Sequence, residues 1–159
     1  MDVLWGAWIK QLDYDEGLHY INIIGIYDII DKWRKSDYPF TTDLKVVLAC
    51  QGYPSEYGHQ KEISLVMWDI DATELYSQSF SLEVPTLFGE SKVRWYETYE
   101  LSGIVFGAPG YYELGILVNG EEKQNIPLQI MSGKMVDLDK FIKHDIYEER
   151  WFEDKDLEV

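Results

Sequence analysis

The sequence predicts an all-β protein: an antiparallel β-sandwich of about eight strands, immunoglobulin-like or jelly-roll-like, with a short C-terminal helix or tail. Three observations lead there. Apolar residues alternate at period two along run after run of the chain up to about Gly133. Turn signals built on Gly, Pro, Asn and Asp separate the runs at the spacing of sandwich strands. Aromatics make up 15% of the 159 residues, with twelve Tyr and six Trp, and such residues favour strands.

The first strand runs from Val3 to Ile9, with Val3, Trp5, Ala7 and Ile9 on one face and Leu4, Gly6 and Trp8 on the other. Both faces are apolar, which suits a strand covered on both sides. Asp13 to Gly17 is a polar turn, and a second strand follows from Leu18 to about Tyr27. Its Leu18, Tyr20, Ile24 and Ile26 share a face. Asp28 to Pro39 reads as a polar loop around Trp33, and Lys32-Trp33-Arg34-Lys35 within it is a short basic cluster. Thr41 to Cys50 is the third strand, aligning Leu44, Val46, Leu48 and Cys50. Gln51 to Gln60 is a loop by its Gly, Pro and Ser content.

Glu62 to Asp69 and Glu74 to Val84 pair as a hairpin across Ile70-Asp71-Ala72-Thr73. Ile63, Leu65 and Met67 form one face of the first; Tyr76, Phe80, Leu82 and Val84 line up on the second. Lys92 to about Leu101 aligns Val93, Trp95, Tyr99 and Leu101. The closing hairpin is the clearest element. Ala108-Pro109-Gly110 turns the chain, and Tyr112, Leu114, Ile116 and Val118 alternate on one face. Asn119-Gly120 supplies the two positive-φ positions of a type I′ turn, and Ile126, Leu128 and Ile130 return. From Met135 the alternation stops. Leu138, Phe141, Ile142 and Ile146 then fit one face of a short helix, with Asp137 as its N-cap or a first-turn acid. The expected organisation is a sandwich domain over 1–133 and an acidic helix or tail over 134–159.

Several function classes are disfavoured by composition. A formal net charge of −15 argues against nucleic-acid binding and against docking on anionic membranes, both of which need Lys and Arg. No apolar run approaches the ~20 residues of a membrane helix. The N-terminal stretch lacks the basic start and apolar core of a signal peptide. Cys50 is the one cysteine, so neither an intramolecular disulfide nor a thiolate metal cluster is expected, and its apolar run favours a buried, inert thiol. A cytoplasmic protein is the expectation.

Beyond these patterns, the chain resembles a known family. The carrying segments are LHYINIIGIYDII (Leu18 to Ile30), FGAPGYYELGILVNGE (Phe106 to Glu121) and IPLQI (Ile126 to Ile130). They resemble short bacterial proteins classed as a domain of unknown function. Their usual form has an N-terminal strand, an Ile-Gly-x-Φ-Asp segment, a Pro-Gly-x-Tyr turn, a glycine-containing hairpin and a Pro-Leu-x-Val closing strand; Ile130 stands here in place of the valine. The resemblance spans about residues 1–131. It implies a β-sandwich and supplies no catalytic residues.

The candidate chemistry is sparse. Asp69, Asp71 and Glu74 form the most site-like acidic group, able in principle to offer oxygen ligands to Ca²⁺; ordinary turn chemistry is the stronger reading of those aspartates. His19, His59 and His144 are far apart and lack metal or protease spacing, and neither a GxSxG elbow nor a phosphate-binding glycine loop occurs. The expectation is therefore no enzyme, no cofactor and no metal. Trp33, Tyr38, Tyr53 and Tyr57 lie in loop segments, and Trp151 and Phe152 in the tail. These six are the candidates for an interaction surface, weighed against a role for the loop aromatics in capping the core. Trp5, Trp8, Trp68 and Trp95 are read as core or second-face packing.

The function expected is a non-enzymatic interaction or assembly module for a protein partner, a second copy of the chain included. The alternatives are an acidic decoy for a nucleic-acid-binding or otherwise basic partner, and a cation- or small-ligand-binding sandwich.

Overall fold

The computed structural model describes residues 1–15, 20–31, 38–89 and 91–131. Among them are ten strands: β1 (Asp2–Ile9), β2 (Gln11–Asp15), β3 (Tyr20–Ile24), β4 (Ile29–Asp31), β5 (Phe40–Gly52), β6 (Gln60–Asp69), β7 (Glu74–Glu83), β8 (Val93–Phe106), β9 (Gly110–Val118) and β10 (Glu121–Met131). A 3₁₀ turn spans Pro54–Glu56. The expected C-terminal helix and the 134–159 tail lie outside the described residues.

Two sheets form the sandwich. One has the order β1-β5-β8, the other β4-β10-β9-β6-β7, and β2-β3 is a separate two-stranded ribbon. The inward residues of both sheets build one core, including Leu44, Val46, Leu48 and Leu101 from one sheet and Ile63, Leu65, Leu114, Ile116 and Leu128 from the other. The alternation predicted for β5, β6, β9 and β10 is what places them there. Period-two side chains on a pleated strand have one face to bury, and the apolar set takes it. Along one edge the sheets are tied by the Trp8 indole, which donates to the Pro127 carbonyl at 3.0 Å. Along the other, Phe80 of β7 stacks on Tyr99 of β8 with ring centroids 4.5 Å apart.

The closing hairpin matches its prediction. Asn119 and Gly120 have φ of 50° and 86°, as a type I′ turn requires. The turn after β6 likewise holds Ala72 at positive φ, with the Asp69 carboxylate accepting from the Asp71 and Thr73 amides, both at 2.9 Å.

Several expectations are corrected. The strands number ten among the described residues, against about eight, because the short β2 and β4 carry no sustained apolar alternation. β4 lies inside the segment read as a polar loop and pairs parallel to β10, so the sandwich is not wholly antiparallel. Three residues are too few to display a period. The second strand, β3, ends at Ile24 and not at Tyr27; Leu18 lies outside the described residues, and Ile24 and Ile26 are exposed. β3 pairs with β2 in a ribbon, and Ile26 lies beyond that pairing.

The strand expected to end at Leu101 continues to Phe106. Gly103, at φ 72°, sits in a bulge opposite Thr42–Leu44 and donates its amide to the Asp43 carboxylate at 2.8 Å. The bulge resets the parity, so that Leu101 and Ile104 both face inward.

β1 carries the correction with most consequence. A register shift between Val3 and Trp5 turns the strand over. Val3 packs in the core opposite Cys50, while Trp5 sits opposite Ala49 on the outer face. Trp5, Ala7 and Ile9 therefore share the outer face, and Val3, Gly6 and Trp8 the inner one. Ile9, Val47 and Ala49 are nevertheless buried. Much of this sheet is thus shielded on both sides, as the two-sided apolar pattern of β1 predicts.

Candidate interaction surface

The aromatics singled out in loops divide once their surroundings are known. Tyr38 donates its hydroxyl to the Met131 carbonyl at 3.1 Å and meets Phe40 edge-on at 5.5 Å. It closes the end of the core. Tyr57 also packs against core residues. Tyr53 is exposed, at the mouth of the loop after β5. Trp33, Trp151 and Phe152 lie outside the described residues, as do His19 and His144.

The structure brings Tyr53 together with residues the sequence did not single out as a surface. On the outer face of β1-β5-β8, one cross-strand row is Asp2, Gln51 and Arg94, and the next is Trp5, Ala49 and Tyr96. Gln51 is buried, and its amide is satisfied at both ends. The Arg94 Nε donates to its Oε1 at 2.8 Å, and its Nε2 donates to the Tyr53 hydroxyl at 2.8 Å. That hydroxyl in turn donates to Asp2 at 3.0 Å. A hydrogen-bonded chain therefore crosses the end of the sheet and holds Tyr53 in place.

Beside it, Trp5 and Tyr96 straddle Ala49 with ring centroids 5.9 Å apart. They remain 39% and 47% exposed, and Leu4 is 38% exposed at the bulge. Two adjoining aromatic rings, a third fixed by hydrogen bonds and an arginine make a surface rich in the residue types that anchor interfaces. The outward turn of Trp5 depends on the β1 bulge, which alternation alone does not reveal. The signal that could have found it was the apolar character of both faces of β1.

Next to this surface the Met1 ammonium pairs with Glu56, which Lys61 also approaches at 3.2 Å. Burial would raise the Glu56 carboxyl. Hydrogen bonds from the Met1 ammonium, Lys61 and the Tyr53 amide outweigh it and hold the group down at about 2. The ion pair fixes the N-terminal end of β1 to the loop that carries Tyr53.

The remaining candidates are dispersed. Asp69 is engaged by its own turn, Asp71 is exposed at the tip, and Glu74 begins β7 opposite Trp68. Among the described residues no group of three or more His, Cys, Asp and Glu is arranged to hold a metal ion. Cys50 is buried, and burial, then the Glu97 charge, pushes its thiol up to about 12. It is an inert core thiol at neutral pH. Glu97 points inward from β8 and accepts from the Trp95 indole at 2.8 Å. Nearby, the shielded Tyr99 hydroxyl faces the same carboxylate, and burial, then the Glu97 charge, raises its pKa.

Among the described residues no helix is long and apolar enough to cross a membrane. No curated protein matches the chain. Among solved structures it is similar to the alkylpurine DNA glycosylase AlkC of Pseudomonas fluorescens, bound to DNA containing an abasic site analog. The TM-score is 0.40 at 10% identity, over 65% of this chain and 27% of that one. The chain thus spans about a quarter of that protein's length. Residues 13–131 match the model of a family of unknown function, DUF6941, and the chain belongs to that family.

Proposed function

We propose that the protein is a non-enzymatic interaction module that binds a protein partner through the Trp5–Tyr96 end of its three-stranded sheet. One observation carries the reading: two large aromatic rings are held side by side and exposed, next to a hydrogen-bonded frame of Asp2, Tyr53, Gln51 and Arg94. Rigid aromatic anchors beside a polar border are the features that concentrate binding energy in interfaces. The order of the site matters too. Side chains already fixed by packing and hydrogen bonds lose less freedom on binding. The sequence offers no nucleophile-and-base motif, which supports a binding role over a catalytic one. A reduced compartment such as the cytoplasm suits a chain whose one cysteine is a buried thiol.

The test is quantitative affinity purification of the full chain from its native host, comparing the natural sequence with a Trp5→Ser/Tyr96→Ser variant. Both side chains are surface-exposed, so the variant is expected to keep a cooperative thermal transition. A specific partner is expected to co-purify with the natural chain and to fall at least about tenfold with the variant, the effect of removing hot-spot anchors. It should also survive about 0.5 M salt, because apolar contact is not screened as exposed charge is. Partners retained equally by the variant, or released by salt alone, would refute this reading and favour the acidic-decoy alternative.

A further inference from the structure

A second surface, on the opposite sheet, has a different chemistry. The outer face of the five-stranded sheet contains a cleft of about 420 Å³ whose lining includes Trp68, Asp69, Tyr111, Glu113, Glu122 and Asn125. Its position follows from register. Trp68 of β6 lies opposite Glu113 of β9, and Asn125 of β10 opposite Gly115 of β9. The absence of a side chain at Gly115 is what seats the tryptophan. A Cβ built there would fall 2.7 Å from Trp68 Cη2 and closer still to Cζ3, so the indole lies against the sheet and forms a fixed wall. Tyr111 supplies a second aromatic ring, 42% exposed.

The charge of the cleft is one-sided. Three carboxylates line it and no Lys, Arg or His does. Among the described residues none of the three is ion-paired. Glu122 accepts from the Asn125 amide at 3.0 Å, and Asp69 spends one oxygen on its turn. Aromatic walls with carboxylates between them match a flat organic cation, which stacks on a ring while its N–H groups reach the acids. A bare divalent ion would instead need six or more oxygens gathered on one point, and two aromatic walls add nothing to that. The volume admits a guanidinium with neighbouring peptide atoms around it.

We propose that this cleft binds an arginine side chain presented by a basic peptide segment of a partner. It is separate from the Trp5–Tyr96 surface, and either can fail without the other.

The probe is a capped Gly-Arg-Gly peptide titrated into the full chain at low salt, followed by the Trp68 indole N–H resonance. The control replaces arginine with citrulline, which keeps the shape and removes the charge. A saturable shift is expected with the arginine peptide, at least tenfold weaker with citrulline. Glu113→Gln/Glu122→Gln should weaken arginine binding by a similar factor; Glu113 is half-buried and Glu122 exposed on the outer face, and an unchanged fold is checked by the remaining amide resonances. Three results would overturn the assignment: no saturable shift, equal binding of citrulline, or binding indifferent to the double variant. A lysine peptide binding as tightly as the arginine one would overturn the guanidinium preference.

Discussion

At the scale of single residues, the N-terminal clasp makes the sharpest claim. Glu56 titrates at about 2 in the folded chain against an ordinary 4.5. A depressed carboxyl pKa stabilises the fold above the unfolded value, and that contribution is lost as pH falls through the folded one. The window therefore runs from about 4.5 down to about 2. Glu56→Gln should cost up to about 1 kcal/mol at neutral pH, the scale of a partly exposed ion pair. The gap between variant and natural chain, measured by urea denaturation at stepped pH, should close through that window. A gap of constant size from pH 7 to 2 would show that the Met1–Glu56 pair adds nothing to stability. The same contact has a positional role: with Met1 released, the Asp2–Tyr53 hydrogen bond loses its neighbouring anchor.

Among the elements, β8 has the greatest need of protection. It is fourteen residues long, and among the described residues it pairs on one side only, with β5. A long unpaired edge invites pairing with another chain. Glu97 guards it by pointing a carboxylate inward at the edge, and the Gly103 bulge breaks its regularity. Glu97→Val should remove the guard, giving light scattering at neutral pH and at concentrations where the natural chain stays clear. Glu97→Gln, which can still accept from the Trp95 indole, should fall between. If the valine variant scatters no more than the natural chain, the inward charge has no protective role.

The elements also show how much was legible beforehand. The β9–β10 hairpin was readable because alternation and an Asn-Gly turn specify the same register twice. β5 and β6 were readable because each has one uninterrupted apolar face. Features that depend on a single inserted residue were not. The bulge at Gly103 hid the last turn of β8, and the shift between Val3 and Trp5 reversed half of β1 and concealed the candidate surface. A bulge is a mismatch between two strands, and only the partner strand reveals it. The cleft was hidden for a related reason: Trp68, Tyr111 and Glu122 are far apart in sequence and meet only through the order of β6, β9 and β10.

For the molecule as a whole, charge and exposed aromatics pull in opposite directions. At neutral pH the net −15 keeps copies apart, while Trp5, Tyr96 and Leu4 offer apolar area for contact. Near the isoelectric point of about 4.4 the repulsion vanishes, and Glu56 is still ionised there because its own titration lies near 2. The clasp at the N-terminus therefore persists at the pH where copies cease to repel. Turbidity should peak near pH 4.4 with the native thermal transition retained, and Trp5→Ser/Tyr96→Ser should lower that peak, because it removes apolar contact and leaves net charge unchanged. An equal peak in the variant would mean that loss of charge alone drives association. A reduced peak would identify the surface exposed by the β1 bulge as a site of contact between copies, kept apart at neutral pH by the charge on the rest of the chain.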